Sequence, residues 1–116
     1  MNNTAAEKEV GKTTVSLDVL HQIARLTTQS VKGVSRMASI RGGLDQLIGS
    51  EERKGVKVQI QDRQVLIDVY VVLVSDMNVR DISREIQARV SRAISEMIGM
   101  EVGGVNIHIM DIDFSA

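Results

Sequence analysis

Residues 55–114 constrain the fold most strongly, because the spacing of their apolar side chains changes twice. In residues 56–61 apolar and polar side chains alternate, which predicts a strand with one buried face. Residues 62–64 then suit a tight turn. Residues 65–74 are apolar on both faces, a pattern typical of a strand in the middle of a sheet. We therefore expect a hairpin whose second strand is central and has each face covered.

A long amphipathic helix is predicted after this hairpin. Asn78 is a suitable N-cap, Asp81 lies in the first turn where the helix dipole favours a negative charge, and Gly99 ends the helix. Its burial would contribute about 10 kcal/mol before conformational entropy is subtracted. The residues expected in its buried stripe are Val79, Ile82, Ile86, Val90, Ala93, Ile94, Met97 and Ile98.

The last strand is predicted around residues 105–109, after Gly103 and Gly104. The strand–helix–strand order suggests a right-handed crossover onto the same sheet. Up to Ile109 the apolar side chains of this strand occupy odd-numbered positions, whereas Met110 and Ile112 occupy even-numbered ones, so the two sets would face opposite sides of a regular strand. Either a bulge shifts the register, or the second set of side chains covers a different surface.

The N-terminal half is less regular. Residues 1–9 form a polar tail that we expect to be disordered, and residues 10–15 suit a short, weak strand. Ser16 is predicted to cap a first helix that runs to about Ser30, and Gly33 follows it. Residues 34–40 suit another strand. The glycine-rich residues 41–55 are expected to form a mobile, partner-facing loop.

Together these elements predict one α+β domain over residues 10–116. We expect a two-layer sandwich with a mixed sheet of about five strands and two main helices, in the order β-α-β-β-β-α-β. The 116-residue length suits a single domain.

Composition excludes several classes of function. The chain has no cysteine, which removes disulfides, thiolate metal sites and cysteine nucleophiles. The N-terminus lacks the apolar core of a signal peptide, and no apolar run approaches the ~20 residues of a membrane span. A net charge of −1 gives no overall attraction to nucleic acid or an anionic membrane.

No residue set predicts catalysis, a metal site or a bound cofactor. His21 and His108 are the only histidines, and a metal site would require both to converge with carboxylates. Asp111 and Asp113 share one strand face, so they suit either acid–base chemistry or protection of a sheet edge from pairing. We favour edge protection and expect the protein not to be an enzyme.

A small RNA- or nucleic-acid-binding domain is the alternative interpretation. The long helix carries Arg80, Arg84, Arg89 and Arg92, and a basic stripe can contact phosphates. Acidic residues are interleaved with them, and Tyr70 and Phe114 are the only aromatic residues. The pattern therefore disfavours nucleic-acid binding but does not exclude it.

Two features instead predict a protein partner. The outer side of the long helix carries small residues, which either let another element approach closely or, as we favour, are simply exposed to solvent. The last strand changes face, and together with the second apolar face of residues 65–74 this indicates a surface that requires a cover. We expect a homo-oligomer that buries this face. The candidate partner and oligomer surface comprises Tyr70, Val72, Val74, Ala88, Ser91, Ser95, Met110, Ile112 and Phe114.

Five segments, in this order and spacing, resemble the alkaline shock protein family of bacterial envelope stress response proteins. The resemblance covers residues 10–114, nearly the whole chain, and departs from the family pattern at Ser75-Asp76-Met77, where the turn before the long helix differs. The segments are Lys32-Gly33-Val34, Lys54-Gly55-Val56-Lys57-Val58, Ile67-Asp68-Val69-Tyr70-Val71-Val72, residues 82–90 and Val105-Asn106-Ile107-His108-Ile109.

The resemblance implies a non-enzymatic cytoplasmic scaffold that acts in envelope stress or lipid homeostasis by self-assembly and protein binding. Larger members of the family associate with the membrane through an anchor protein. This chain is short, and it resembles the short members that are linked with fatty-acid metabolism. The partner is therefore expected to be a membrane-anchor protein or a fatty-acid metabolism enzyme. Any membrane association would be peripheral, through that partner. The family has no active site to carry over.

Overall fold

The structure, a computed structural model, describes residues 13–39 and 55–115. Helices α1 and α2 pack on one face of a four-stranded sheet. In chain order the elements are α1 (Leu17–Gln29), β1 (Val34–Met37), β2 (Val56–Gln61), β3 (Gln64–Val74), α2 (Val79–Ile98) and β4 (Glu101–Asp113).

Strand β3 is the centre of the sheet. Strand β4 runs parallel to it along one edge, between Gln64 and Val74. Strands β1 and β2 are antiparallel to β3 and lie end to end along its other edge. The predicted two-layer α+β architecture with a mixed sheet and two helices is confirmed.

The strand count differs from the prediction, because the described residues form four strands rather than about five. Residues 13–15, the described part of the predicted first strand, have no partner strand and lead directly into the cap of α1. Residues 10–12 of that strand, the tail at 1–9, residue 40 of the strand predicted at 34–40 and residues 41–54 of the predicted loop lie outside the described residues.

Polar caps fix the ends of both helices. The Ser16 side chain accepts from the Val19 backbone N–H, and the Asn78 side chain accepts from the Asp81 N–H, so each satisfies a donor that the first turn leaves free. Gly99 ends α2 at φ 79, a left-handed conformation that glycine adopts without a steric penalty. These three caps are where the sequence predicts them.

The hairpin between β2 and β3 turns through two residues. Asp62 and Arg63 both have positive φ, and Gln61 pairs with Gln64 across them. Positive φ at both central residues gives a turn whose twist matches that of the flanking strands. This turn sets the register that places Val56 beside Val69.

The core lies between β3 and the helices. Val65, Ile67, Val69, Val71 and Leu73 have no exposed surface, and they meet side chains from both helices. The helix contribution is Leu20 and Ala24 of α1 with Ile82, Ile86, Val90 and Ile94 of α2.

The predicted stripe of α2 is wrong at its ends. Val79 is 40% exposed and Met97 is 71% exposed, although both have helical spacing with the buried residues. Both lie in the terminal turns of the helix, whereas Ile98 in the same last turn packs against the core.

Two bulges in β4 explain why its apolar side chains switch from odd-numbered to even-numbered positions. Val102 and Gly104 pair with consecutive residues of β3, and so do Ile109 and Asp111. Gly103 and Met110 are therefore the extra residues. The second bulge returns Ile112 to the helix side of the sheet, where it packs against the core. Of the two alternatives the structure shows the bulge, and Ile112, a candidate partner-surface residue, instead packs against the core.

Candidate functional site

The sheet face opposite the helices is covered by no element among residues 13–39 and 55–115. We call this surface the open face. Its centre is the row of β3 side chains that alternates with the buried row: Leu66, Asp68, Tyr70, Val72 and Val74. Four of these are half-buried, whereas Val72 is only 4% exposed. No described element of this chain covers the second face of β3, and its burial in a homo-oligomer stays a prediction.

The two edges of the open face carry opposite charges. On the β1–β2 edge, Arg36 lies level with Val72, and Lys57 lies level with Asp68. On the β4 edge, Asp111 lies level with Val72, and Asp113 lies level with Val74. An apolar and aromatic centre therefore runs between a basic and an acidic border.

Tyr70 makes two side-chain contacts on this surface. Its ring stacks on His108 of β4, with centroids 4.4 Å apart and an interplanar angle of 11°. The Lys57 ammonium lies 5.7 Å from the same ring centroid. Because β2 and β4 flank β3 on opposite sides, His108 and Lys57 reach the ring from opposite sides. Neither ring face is left as a platform for a nucleic-acid base.

Asp68 holds His108 in this stack. The His108 Nε2 lies 2.9 Å from the Asp68 Oδ1, and the Asn106 side-chain amide donates to the same oxygen at 3.3 Å. One carboxylate thus orients two side chains of the neighbouring strand. The cluster of Lys57, Asp68, Tyr70, Asn106 and His108 is held in place by contacts among its own members.

A second polar cluster forms at the end of β4. Asp113 accepts hydrogen bonds from the Ser115 hydroxyl at 2.7 Å, the Ser115 backbone N–H at 3.0 Å and the Ser35 hydroxyl at 2.8 Å. Arg36 Nη1 lies 3.5 Å from the same carboxylate. The Ser115 hydroxyl is the largest of the effects that hold the pKa of Asp113 below its ordinary value of 3.8.

These contacts predict a pH effect. Because the folded-state pKa of Asp113 is lowered, its ionised form stabilises the fold above the ordinary value of 3.8, and this contribution is lost as the pH falls through the folded pKa. Ser115→Ala should move the Asp113 pKa back towards that ordinary value. A carbon-13 NMR titration of the Asp113 carboxyl measures the shift, with Ser95→Ala on α2 as the control. An unchanged titration midpoint in Ser115→Ala would contradict this assignment.

The two histidines do not converge. His21 is buried in α1, where its Nδ1 lies 2.7 Å from the Leu17 carbonyl oxygen, whereas His108 lies on the open face. Within residues 13–39 and 55–115, no group of three acidic, histidine or cysteine side chains is arranged to hold a metal ion. The open face can form hydrogen bonds and ion pairs at its borders and apolar contacts at its centre.

The predicted partner surface is split by the fold. Tyr70, Val72 and Val74 lie on the open face, whereas the small residues of α2 lie in the helix layer, where Ala88 and Ser95 are exposed and Ser91 is half-buried. Met110 and Phe114, at 57% and 81% exposure, lie at the end of β4. The candidate residues therefore do not form one continuous surface.

Sequence reasoning placed Asp111 and Asp113 on one strand face but missed the rest of the charged surface. Lys57, Asp68 and His108 were not part of the candidate partner surface. The signal that identifies them is their register against Tyr70, which depends on the pairing of β2 and β4 with β3.

Neither α1 nor α2 is long and apolar enough to span a membrane, and this holds for the part of the chain that the structure describes.

Known structures with this fold include those of the MamM CTD. Its copper form superposes with a TM-score of 0.52, at 10% sequence identity, covering 86% of this chain and 90% of that chain. At this identity the likeness shows a shared two-layer fold and nothing about function.

Several bacterial proteins are similar in sequence. The protein YqhY of Bacillus subtilis (strain 168) is 27% identical over 110 residues, covering 93% of this chain and 82% of YqhY. Spy1535 of Streptococcus pyogenes serotype M6 is 31% identical over 104 residues, covering 89% of this chain and 80% of Spy1535. A stress response regulator gls24 homolog of Streptococcus pyogenes serotype M3 is 28% identical over 108 residues, covering 88% of this chain and 59% of the homolog.

The sequence profile of one family matches residues 5–114, which include every described helix and strand. The chain therefore belongs to the alkaline shock protein 23 family, whose members have a cell envelope-related function.

Proposed function

We propose that this protein is a non-enzymatic interaction module of the bacterial envelope stress response, acting in the cytoplasm by self-assembly and by binding a protein partner. The open face is the observation that carries the proposal. It presents an ordered apolar and aromatic centre between two charged borders, and no described element covers it. The relatives named as stress response regulators support the cellular context.

The composition of the open face suits protein docking. Aromatic and aliphatic side chains at the centre of a surface supply most of the binding energy, whereas charged borders supply orientation and specificity. Tyr70 lies at the centre, in contact with His108 and Lys57. Because these contacts already fix the tyrosine ring, a partner does not have to order it on binding, which lowers the entropic cost.

The geometry supports nucleic-acid binding less well. Single-stranded nucleic acid requires an exposed aromatic face and a basic path for phosphates. Both sides of Tyr70 are approached by neighbouring side chains, and Asp111 and Asp113 border the same surface. An oligonucleotide that stacked on Tyr70 would therefore meet a carboxylate border on one side.

Photo-crosslinking in native cells tests the proposal. A photoreactive amino acid at Gln59 samples the open face, because Gln59 is exposed and lies level with Leu66. The same probe at Ser95 samples the outer side of α2, where the side chain is also exposed. The proposal predicts discrete protein adducts from position 59. Nuclease-sensitive adducts at that position would instead favour the nucleic-acid alternative.

A further inference from the structure

The charges of the open face are arranged so that the surface complements itself. The face has three lanes: β1 and β2 on one edge, β3 in the centre and β4 on the other edge. Arg36 and Lys57 are its basic border, and Asp111 and Asp113 are its acidic border. A surface with one basic and one acidic border can pair with a copy of itself if each border meets the opposite one.

The symmetry that achieves this pairing is defined by the sheet. A two-fold axis parallel to β3 exchanges the two edges and keeps each residue at the same level along the strand. It places Arg36 over Asp111 of a second copy, because both lie level with Val72. A two-fold axis across the strands would instead place the basic border over itself.

We infer that a second copy of this chain docks on the open face, with the β3 strands of the two copies running in the same direction. This inference rests on the proposed self-assembly and names the surface that mediates it. The two sheets pack face to face at about 10 Å, the usual separation of packed sheets. The Arg36 side chain, which is 61% exposed, is long enough to cross much of that separation.

Arg36 already lies 3.5 Å from Asp113 of its own chain, so Asp111 of the second copy adds a second carboxylate to a guanidinium that is 61% exposed. Each Arg36–Asp111 contact occurs twice, once in each direction, because the interface is isologous. Lys57 of one copy lies over the β4 lane of the other, beside Asp68, and so offsets the approach of the two Asp68 carboxylates at the centre. Leu66, Tyr70 and Val74 supply the apolar contact.

The size of the face predicts a weak dimer. Three lanes at ~4.8 Å and eleven residues at ~3.3 Å give about 500 Å² from each copy. The total of about 1,000 Å² is near the lower limit for a specific interface, in the range of transient complexes. We therefore expect dimerisation that depends on concentration.

Charge reversal tests the interface. Arg36→Asp and Asp111→Arg should each weaken dimerisation about tenfold or more, because each change places two pairs of like charges in contact. The double variant Arg36→Asp/Asp111→Arg should regain part of the lost affinity, because positions 36 and 111 again carry opposite charges across the interface, whereas the own-chain contact of position 36 with Asp113 stays lost. Sedimentation equilibrium over a concentration series measures the dissociation constants. Arg84→Glu, an equal charge reversal on the helix layer, is the control and should leave dimerisation unchanged.

Both edge residues are exposed, so circular dichroism should show that the variants fold. A wild-type chain that remains monomeric at about 1 mM would overturn the inference. The inference would also be overturned if neither single charge reversal raised the dissociation constant, or if the double variant dimerised no more tightly than the single variants. In those last two cases self-assembly would stand, and only this surface would be excluded.

Discussion

Replacing Ile67 by alanine should lower the free energy of unfolding by about 2–5 kcal/mol. Ile67 has no exposed surface and lies at the middle of the β3 row that faces both helices. The smaller side chain loses the apolar burial and leaves a cavity that the flanking strands close only in part. Because small domains are stable by about 5–15 kcal/mol, this one change removes a large part of the total. Urea denaturation followed by circular dichroism measures it.

Ile60→Ala is the matched control. Ile60 is also an isoleucine in a strand, but it is 48% exposed at the end of β2. We expect it to cost less than about 1 kcal/mol, since much of its surface already contacts water. Equal losses for the two variants would contradict the burial of Ile67 in the core, because Ile60 lies on the same side of the sheet and differs mainly in exposure.

Replacing Gly33 by alanine should cost about 2–4 kcal/mol. Gly33 has a φ of +106, a conformation that L side chains rarely adopt, and an added Cβ would lie 2.6 Å from Ile82 Cδ1. The backbone cannot easily move away, because the Val74 N–H donates to the Gly33 carbonyl at 2.9 Å. Backbone strain and side-chain overlap therefore add. Thermal unfolding with a two-state fit gives the loss.

Gly99→Ala separates these two contributions. Gly99 has a φ of +79, but an added Cβ there would meet nothing within 4 Å. This variant should show only the backbone penalty of about 1–2 kcal/mol. If Gly33→Ala costs no more than Gly99→Ala, the close approach of α2 to residue 33 does not restrict that site.

The helices and the hairpin could be predicted from the sequence because local chemistry determines them. Ser16 and Asn78 provide side-chain acceptors for the first free N–H groups, and Gly99 adopts a left-handed conformation at the end of α2. These capping effects involve residues within one helical turn of each other, so they can be identified from the sequence alone. The weak strand predicted at residues 10–15 had no such local determinant, and its described part is not a strand.

The bulge in β4 was predictable, but its consequence was not. The parity change at Ile109, Met110 and Ile112 indicates an irregularity. Only the observed register shows that Met110 is the extra residue and that Ile112 returns to the core side. Pairing with β3 decides which side chains share a face, and this pairing is a long-range property.

The polar clusters of the open face depend on contacts between distant parts of the chain. Asp68 and His108 are 40 residues apart, and Ser35 and Asp113 are 78 apart. None of these residues forms a local motif, so their association appears only when β1 and β4 lie beside β3. The apolar centre could be predicted from periodicity, whereas the charged borders required the fold.

The most direct test of the central claim, that the open face is the binding surface, is the yield of photo-crosslinked protein from Gln59 compared with Ser95 in native cells. Both positions are exposed, and they lie in different layers of the domain. The account predicts discrete protein adducts from position 59 and none above background from position 95. Adducts from position 95 with none from position 59 would contradict it and place the partner on the helix layer.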